Sequence, residues 1–159
     1  MIKRLIVLAV AICIALALTI VLVFMSRPDP IKDLQENAFT VYNEATLQDI
    51  MESICEDITW KVVEQDHSAG FYRINVEGAM KDIPIPFLDG YSGAPIGFDV
   101  DVYYNKENVI YQADVVRVYF EDKDMDVDYD VDWAMSLIYS AHKYITEGTY
   151  QYYPANNMK

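Results

Sequence analysis

The sequence predicts an α+β protein: an N-terminal transmembrane helix followed by an antiparallel β-sheet of about four strands packed with two helices. Three observations carry this expectation. From Leu5 to Met25 the chain runs 21 residues without a charge, a proline or a glycine. Between residues 58 and 121 apolar residues recur at alternate positions, and on either side of that region they recur at helical spacing. Strands paired as hairpins and flanked by helices make a sheet with helices on one face.

At ~1.5 Å per residue, 21 helical residues reach about 31 Å, close to the ~30 Å hydrocarbon core of a bilayer. A cleaved secretory signal fits less well, because its apolar region is shorter and ends in a small-x-small site. Here such triplets, as in Ala15-Leu16-Ala17, lie mid-stretch. Lys3 and Arg4 precede the stretch and Arg27 and Lys32 follow it. That near-tie is tipped by a short N-terminus free of acids, which places the N-terminus in the cytoplasm and the rest outside.

Residues 1–26 then form the anchor and residues 27–44 a linker with one short helix, in which Leu34, Ala38 and Val41 share a face. Residues 45–148 form an acidic extracytoplasmic domain, and 149–159 an irregular tail. The first strong helix spans 46–57, with Leu47, Ile50, Met51, Ile54 and Ile58 as its stripe. Asn43 or Thr46 caps it and Asp49 stands in its first turn. A hairpin follows. Ile58, Trp60 and Val62 alternate with polar residues up to a turn at 65–70, and Tyr72, Ile74 and Val76 alternate after it.

The segment 81–95, KDIPIPFLDGYSGAP, holds three prolines and two glycines and reads as a loop. Its Phe87, Leu88 and Tyr91 are candidate partner-binding residues, since long loops in compact domains often carry function. Next, Ile96, Phe98, Val100 and Val102 point inward and Asp99 and Asp101 outward. After a turn at 105–108, the strand 109–121 has apolar residues on both faces, the mark of a central or strongly bent strand. The last helix runs from 133 to 147, with Trp133, Leu137, Ala141, Tyr144 and Ile145 as its stripe and Gly148 as its end.

Asp122, Asp124, Asp126, Asp128, Asp130 and Asp132 recur at every second residue. An extended chain would point these carboxylates one way. Asp122, Asp124, Asp126 and Asp128 are therefore a candidate divalent-cation site, although no EF-hand glycine or glutamate falls at the required spacing. A solvated edge strand, kept from pairing by its charge, explains the same pattern.

Twelve basic and 25 acidic residues make up the charge, and every acid lies after Pro28. Beyond the anchor, ten basic against 25 acidic residues leave −15. Such a domain repels nucleic acid and anionic headgroups. Cys13 lies inside the apolar stretch, so Cys55 has no partner in the domain and reads as a small buried hydrophobe. His67 sits in a turn and His142 on the polar side of the last helix, neither with ligand company at zinc spacing. No nucleophile elbow, phosphate-binding loop, dinucleotide fingerprint or HExxH motif occurs. No cofactor is implied, and no catalytic residue can be nominated.

At residues 45–50 (ATLQDI), at Trp60-Lys61, at 74–78 (INVEG) and at 98–102 (FDVDV), the chain resembles small, functionally uncharacterised domains that follow a membrane anchor in bacterial envelope proteins. The resemblance spans about 40–120 and brings no active site with it. The apolar stretch and the lack of a catalytic motif lead to the expectation of a single-pass envelope protein with a non-enzymatic, protein-binding domain, whose contact surfaces are the 87–91 loop and the aspartate run. A ligand- or divalent-cation-binding sensor is the alternative, and a small hydrolase the third.

Overall fold

The computed structural model describes residues 10–19, 28–37, 44–84, 91–120, 123–124 and 131–148. Residues 10–19 are helical (α1), and every one of them is exposed, Val10, Ile12, Ile14, Leu16 and Leu18 included. Thr19 donates its hydroxyl back to the Ala15 carbonyl at 2.8 Å, which satisfies a polar side chain on an otherwise apolar helix. The rest of the Leu5 to Met25 stretch lies outside the described residues. Among those described, no helix is long and apolar enough to cross a membrane.

The segment expected to be mostly linker begins with a docked helix, α2 (Pro30–Glu36). Pro30 stands where a missing N–H costs nothing, and the Asp29 side chain accepts from the Lys32 amide at 3.2 Å. Leu34 is buried, and the Asp33 carboxylate accepts from the Tyr104 hydroxyl at 2.8 Å. Ala38 and Val41 lie outside the described residues.

Helix α3 (Leu47–Ile54) is closed by a reciprocal capping box. The Asp49 amide donates to the Thr46 hydroxyl at 3.0 Å, and the Thr46 amide donates to the Asp49 carboxylate at 2.8 Å. The helix stops three residues short of the expected end. Cys55 pairs with Met80 as the first residue of a strand, and the sheet thereby claims Ile58 from the helical stripe.

Four long antiparallel strands follow: β1 (Cys55–Asp66), β2 (Phe71–Met80), β3 (Pro95–Tyr104) and β4 (Ile110–Phe120). A two-residue β5 (Lys123–Asp124) pairs with the end of β4. The spatial order is the chain order, β1-β2-β3-β4-β5. Strand β4 is thus next to last, not central. Its two-faced apolar pattern fits the other expected alternative, a strand bent by bulges. Asp99 pairs with Arg117 but Val100 pairs with Val115, leaving Val116 as an extra residue. Each bulge shifts the alternation by one, so Ile110, Ala113, Val115, Val118 and Phe120 all reach the core.

Helix α4 (Val131–Glu147) ends as expected at Gly148, whose φ is +71°. Its burial is broader than one stripe: every residue from 134 to 143 is buried. Ile145, expected inward, is exposed, and His142, expected on the polar side, is buried. Asp132 belongs to this helix and not to an extended acidic strand. Leu34, the apolar face of α3, much of α4 and the inward residues of β2 and β3 form one core. The described domain therefore has three helices on one sheet face, where two helices and a short third element were expected.

Candidate functional site

The opposite face of the sheet is the candidate site. The register places Lys61, Glu64, Arg73, Asn75, Glu77, Asp99, Asp101, Asp114, Arg117 and Tyr119 on that side. Asp99 and Asp101, expected to point into water, face outward as predicted, yet Asp101 is only 6% exposed. Arg73 reaches along the sheet from β2 and closes over it. Its Nε and Nη2 donate to the two carboxylate oxygens of Asp101 at 2.6 and 2.8 Å, while Nη1 donates to Glu64 at 3.3 Å. A bidentate, charge-assisted pair of this kind is strong and geometrically specific. The Asp101 carboxylate holds the Arg73 guanidinium above its ordinary pKa.

A second cluster adjoins the first. Asn75 donates through Nδ2 to Asp99 at 2.8 Å and to the Tyr119 hydroxyl at 2.9 Å. Tyr119 donates in turn to Glu77 at 3.0 Å. Burial, and then Glu77, raise the pKa of that phenol, while the Asn75 amide works against them. Arg117 pairs with Asp99 at 3.6 Å and lies over the Tyr119 ring at 4.8 Å. The arrangement depends on Gly97, because the Tyr119 ring occupies the space that a Cβ there would need. None of these residues was singled out as functional from the sequence. The available signal was charge alternation, with Arg73 and Glu77 on one strand and Asp99 and Asp101 on another. Reading it required the register.

At the end of the sheet, the turns 67–70 and 105–108 border an open cleft of about 630 Å³. Pro28, His67, Tyr72, Tyr104, Asn105 and Lys106 are among its lining residues. The Tyr72 hydroxyl and His67 Nδ1 are 3.0 Å apart. Burial, and then the hydrogen bond to Asp33, push the Tyr104 phenol well above its usual pKa, so it serves as a donor.

Between the helices, Ser53 Oγ and His142 Nδ1 lie 2.9 Å apart. This pair has the wrong polarity for a nucleophile and its base. Ser53 donates to the Ile50 carbonyl at 2.7 Å, which leaves its oxygen to accept from the histidine. Burial, then Lys143, lower the His142 pKa. The pair bolts α3 to α4. Cys55, buried as expected, has its thiol pushed up to about 12 by burial.

Of the loop candidates, Tyr91 is 42% exposed and stands edge-on to Phe120, with ring centroids 4.8 Å apart. Phe87 and Leu88 lie outside the described residues, and the loop residue seen in the core is Ile83. Asp122, Asp126 and Asp128 also lie outside them. Asp124 is described through its backbone pairing with Tyr119. Among the described residues no group of three or more His, Cys, Asp or Glu side chains could hold a metal ion.

Fold and site together define a class: an antiparallel sheet covered by helices on one face and carrying an ion-paired acidic network on the other. No protein-family model matches the chain, and no curated protein or solved structure matches it.

Proposed function

We propose that this is a single-pass membrane-anchored envelope protein whose extracytoplasmic domain binds a cationic segment of a partner protein through the open face of its sheet. The observation that carries this reading is the organised state of that face. Lys61, Arg73 and Arg117 stand there against Glu64, Asp66, Glu77, Asp99, Asp101 and Asp114, an excess of three negative charges. Arg73, Glu64 and Asp101, and beside them Asn75, Asp99, Tyr119 and Glu77, are already held in place by mutual hydrogen bonds, so less of their side-chain freedom is lost on binding. Complementary charge then sets orientation and speeds encounter. The apolar stretch from Leu5 to Met25, its exposed helical part and the layout resembling anchored envelope domains support the anchor.

A photo-crosslinking residue placed at Lys61 or Asp114 in the full chain, in native membranes, tests the face. The same residue at Glu52, exposed on α3, is the control. Adducts at 61 and 114 that fade with added salt and are missing at 52 are expected. Equal labelling at all three positions, or none at 61 and 114, would remove the open face from the reading.

A further inference from the structure

We propose that the end of the sheet bearing the two hairpin turns rests in the headgroup region of the bilayer, contacting it through Phe71, Tyr103, Val109 and Tyr111. This inference rests on the reading of Leu5 to Met25 as a membrane span. The path of the chain is the first argument. Pro28 lines the same cleft as His67, Gly70, Asn105 and Lys106. Met25 precedes Pro28 by three residues, a reach of no more than about 11 Å even when fully extended. The turns therefore stand close to the point where the apolar stretch ends. Little slack follows Pro28 either, because α2 begins at Pro30 and is fixed to the core by Leu34 and by the bond between Asp33 and Tyr104.

Surface chemistry is the second argument. Tyr111 is 62% exposed and Val109 56% exposed. Phe71 and Tyr103 are half-buried beside them. The rings make a ladder across three strands, with centroids 5.3 Å apart from Phe71 to Tyr103 and 6.2 Å from Tyr103 to Tyr111. Tyr103 pairs with Gln112 and Tyr104 with Ile110, so Tyr111 is the extra residue of a bulge. The bulge takes the Tyr111 backbone out of the strand register, and its ring stands exposed next to Tyr103 at this end of the sheet. Tyrosine, with an apolar ring and a polar tip, suits the membrane–water interface.

Charge narrows the kind of contact. Lys106 has a long stem that can lie along the interface with its ammonium in the headgroups. Asp66 and Glu107 accompany it, so anionic lipid is not what holds this end down. The contact is aromatic and operates on neutral lipid.

The test uses the full chain in neutral phosphatidylcholine vesicles containing brominated lipid. In a Cys13→Ala background, a fluorophore is attached at Lys106→Cys, Tyr111→Cys, Ser92→Cys or Leu16→Cys. Cys55 is buried and does not compete for label. Ser92 is exposed at the far end of the sheet, beyond the Ala79 and Pro95 pair. Probes at 106 and 111 are expected to be quenched several-fold more than the probe at 92, and Leu16 more still. Quenching at 106 and 111 no greater than at 92, with Leu16 quenched, overturns this proposal and leaves the anchor standing. An unquenched Leu16 overturns both. A Tyr103→Ser variant labelled at 106 should show weaker quenching, and unchanged quenching counts against the ladder.

Discussion

Asp101 shows how much of a residue's role depends on its neighbour across the sheet. In sequence it is one acid of an alternating strand, indistinguishable from Asp99. Register puts Arg73 beside it, and the guanidinium takes both of its oxygens. The two partners differ in exposure: the Asp101 side chain is 9% exposed and that of Arg73 36%. Removing either one therefore leaves an unequal remainder. Arg73→Ala strands a buried carboxylate and should cost about 3 kcal/mol, whereas Asp101→Ala leaves an arginine that water can reach and should cost about 2 kcal/mol. Urea denaturation of both variants and the double variant checks the order and the coupling. Gly97 makes a sharper case. A methyl group there meets the Tyr119 ring, so Gly97→Ala must expel it and break its bonds to Asn75 and Glu77. A loss of about 2 kcal/mol, with a changed tyrosine signal in near-ultraviolet circular dichroism, is expected. From sequence alone that glycine reads only as a weak point in a strand. Its function as a seat for Tyr119, which is 22 residues later, cannot be seen without the pairing of β3 and β4.

Elements were legible where a local signal and the tertiary environment agreed. Thr46 and Asp49 announced the start of α3, Gly148 the end of α4, and the period of two survives residue by residue in β2, while in β3 Gly97 and Asp101 are buried on the outward face as well. Legibility failed where pairing overrode periodicity. Ile58 fits the stripe of α3 yet belongs to β1, and bulges in β4 make an apolar pattern that mimics a central strand. The full extent of α4's packing was also hidden: Trp133, Leu137, Ala141 and Tyr144 of its stripe do meet the core, but burial runs through every residue from 134 to 143, which one stripe cannot show. That packing carries a titration. Burial lowers the pKa of His142 in the fold, with Lys143 adding to the shift and Asp49 and Glu147 opposing it. The unfolded chain therefore takes up a proton at higher pH than the folded one. Stability on this account is fully present above about pH 6.5 and declines as pH falls below it, until the folded histidine also protonates. Melting temperatures measured from pH 7.5 to 5 should fall in that window. His142→Phe should flatten that part of the curve, and an unchanged slope would assign the acid sensitivity to other groups. Asp49, held low by the Thr46 amide and hydroxyl, loses its contribution only at more acid pH.

At the scale of the whole molecule, the question is where the folded domain begins. Composition alone draws the line late, because Pro28-Asp29-Pro30 looks like an interruption and the next strong periodicity waits until residue 46. The core draws it earlier. Leu34 is 1% exposed, and Ile31 packs against the same cluster. Asp33 ties α2 to the end of β3 through Tyr104. A helix of seven residues has too little intrinsic stability to stand alone, so α2 is held by these contacts and in return closes the core beside β1 and β2. Three chains separate the two boundaries. A fragment of residues 28–159 keeps every core residue and should unfold cooperatively with the domain transition of the full chain. A fragment of residues 38–159 loses Leu34, Ile31 and the partner of Tyr104, and should melt well below it. Leu34→Ala in the longer fragment removes one buried side chain without shortening the chain and should cost about 3 kcal/mol. If fragments 28–159 and 38–159 melt together and Leu34→Ala changes nothing, α2 is a spacer and the domain begins at Ala45. If they separate as expected, the domain begins within a few residues of the apolar stretch. Its orientation is then set by a packed helix and not by a free tether.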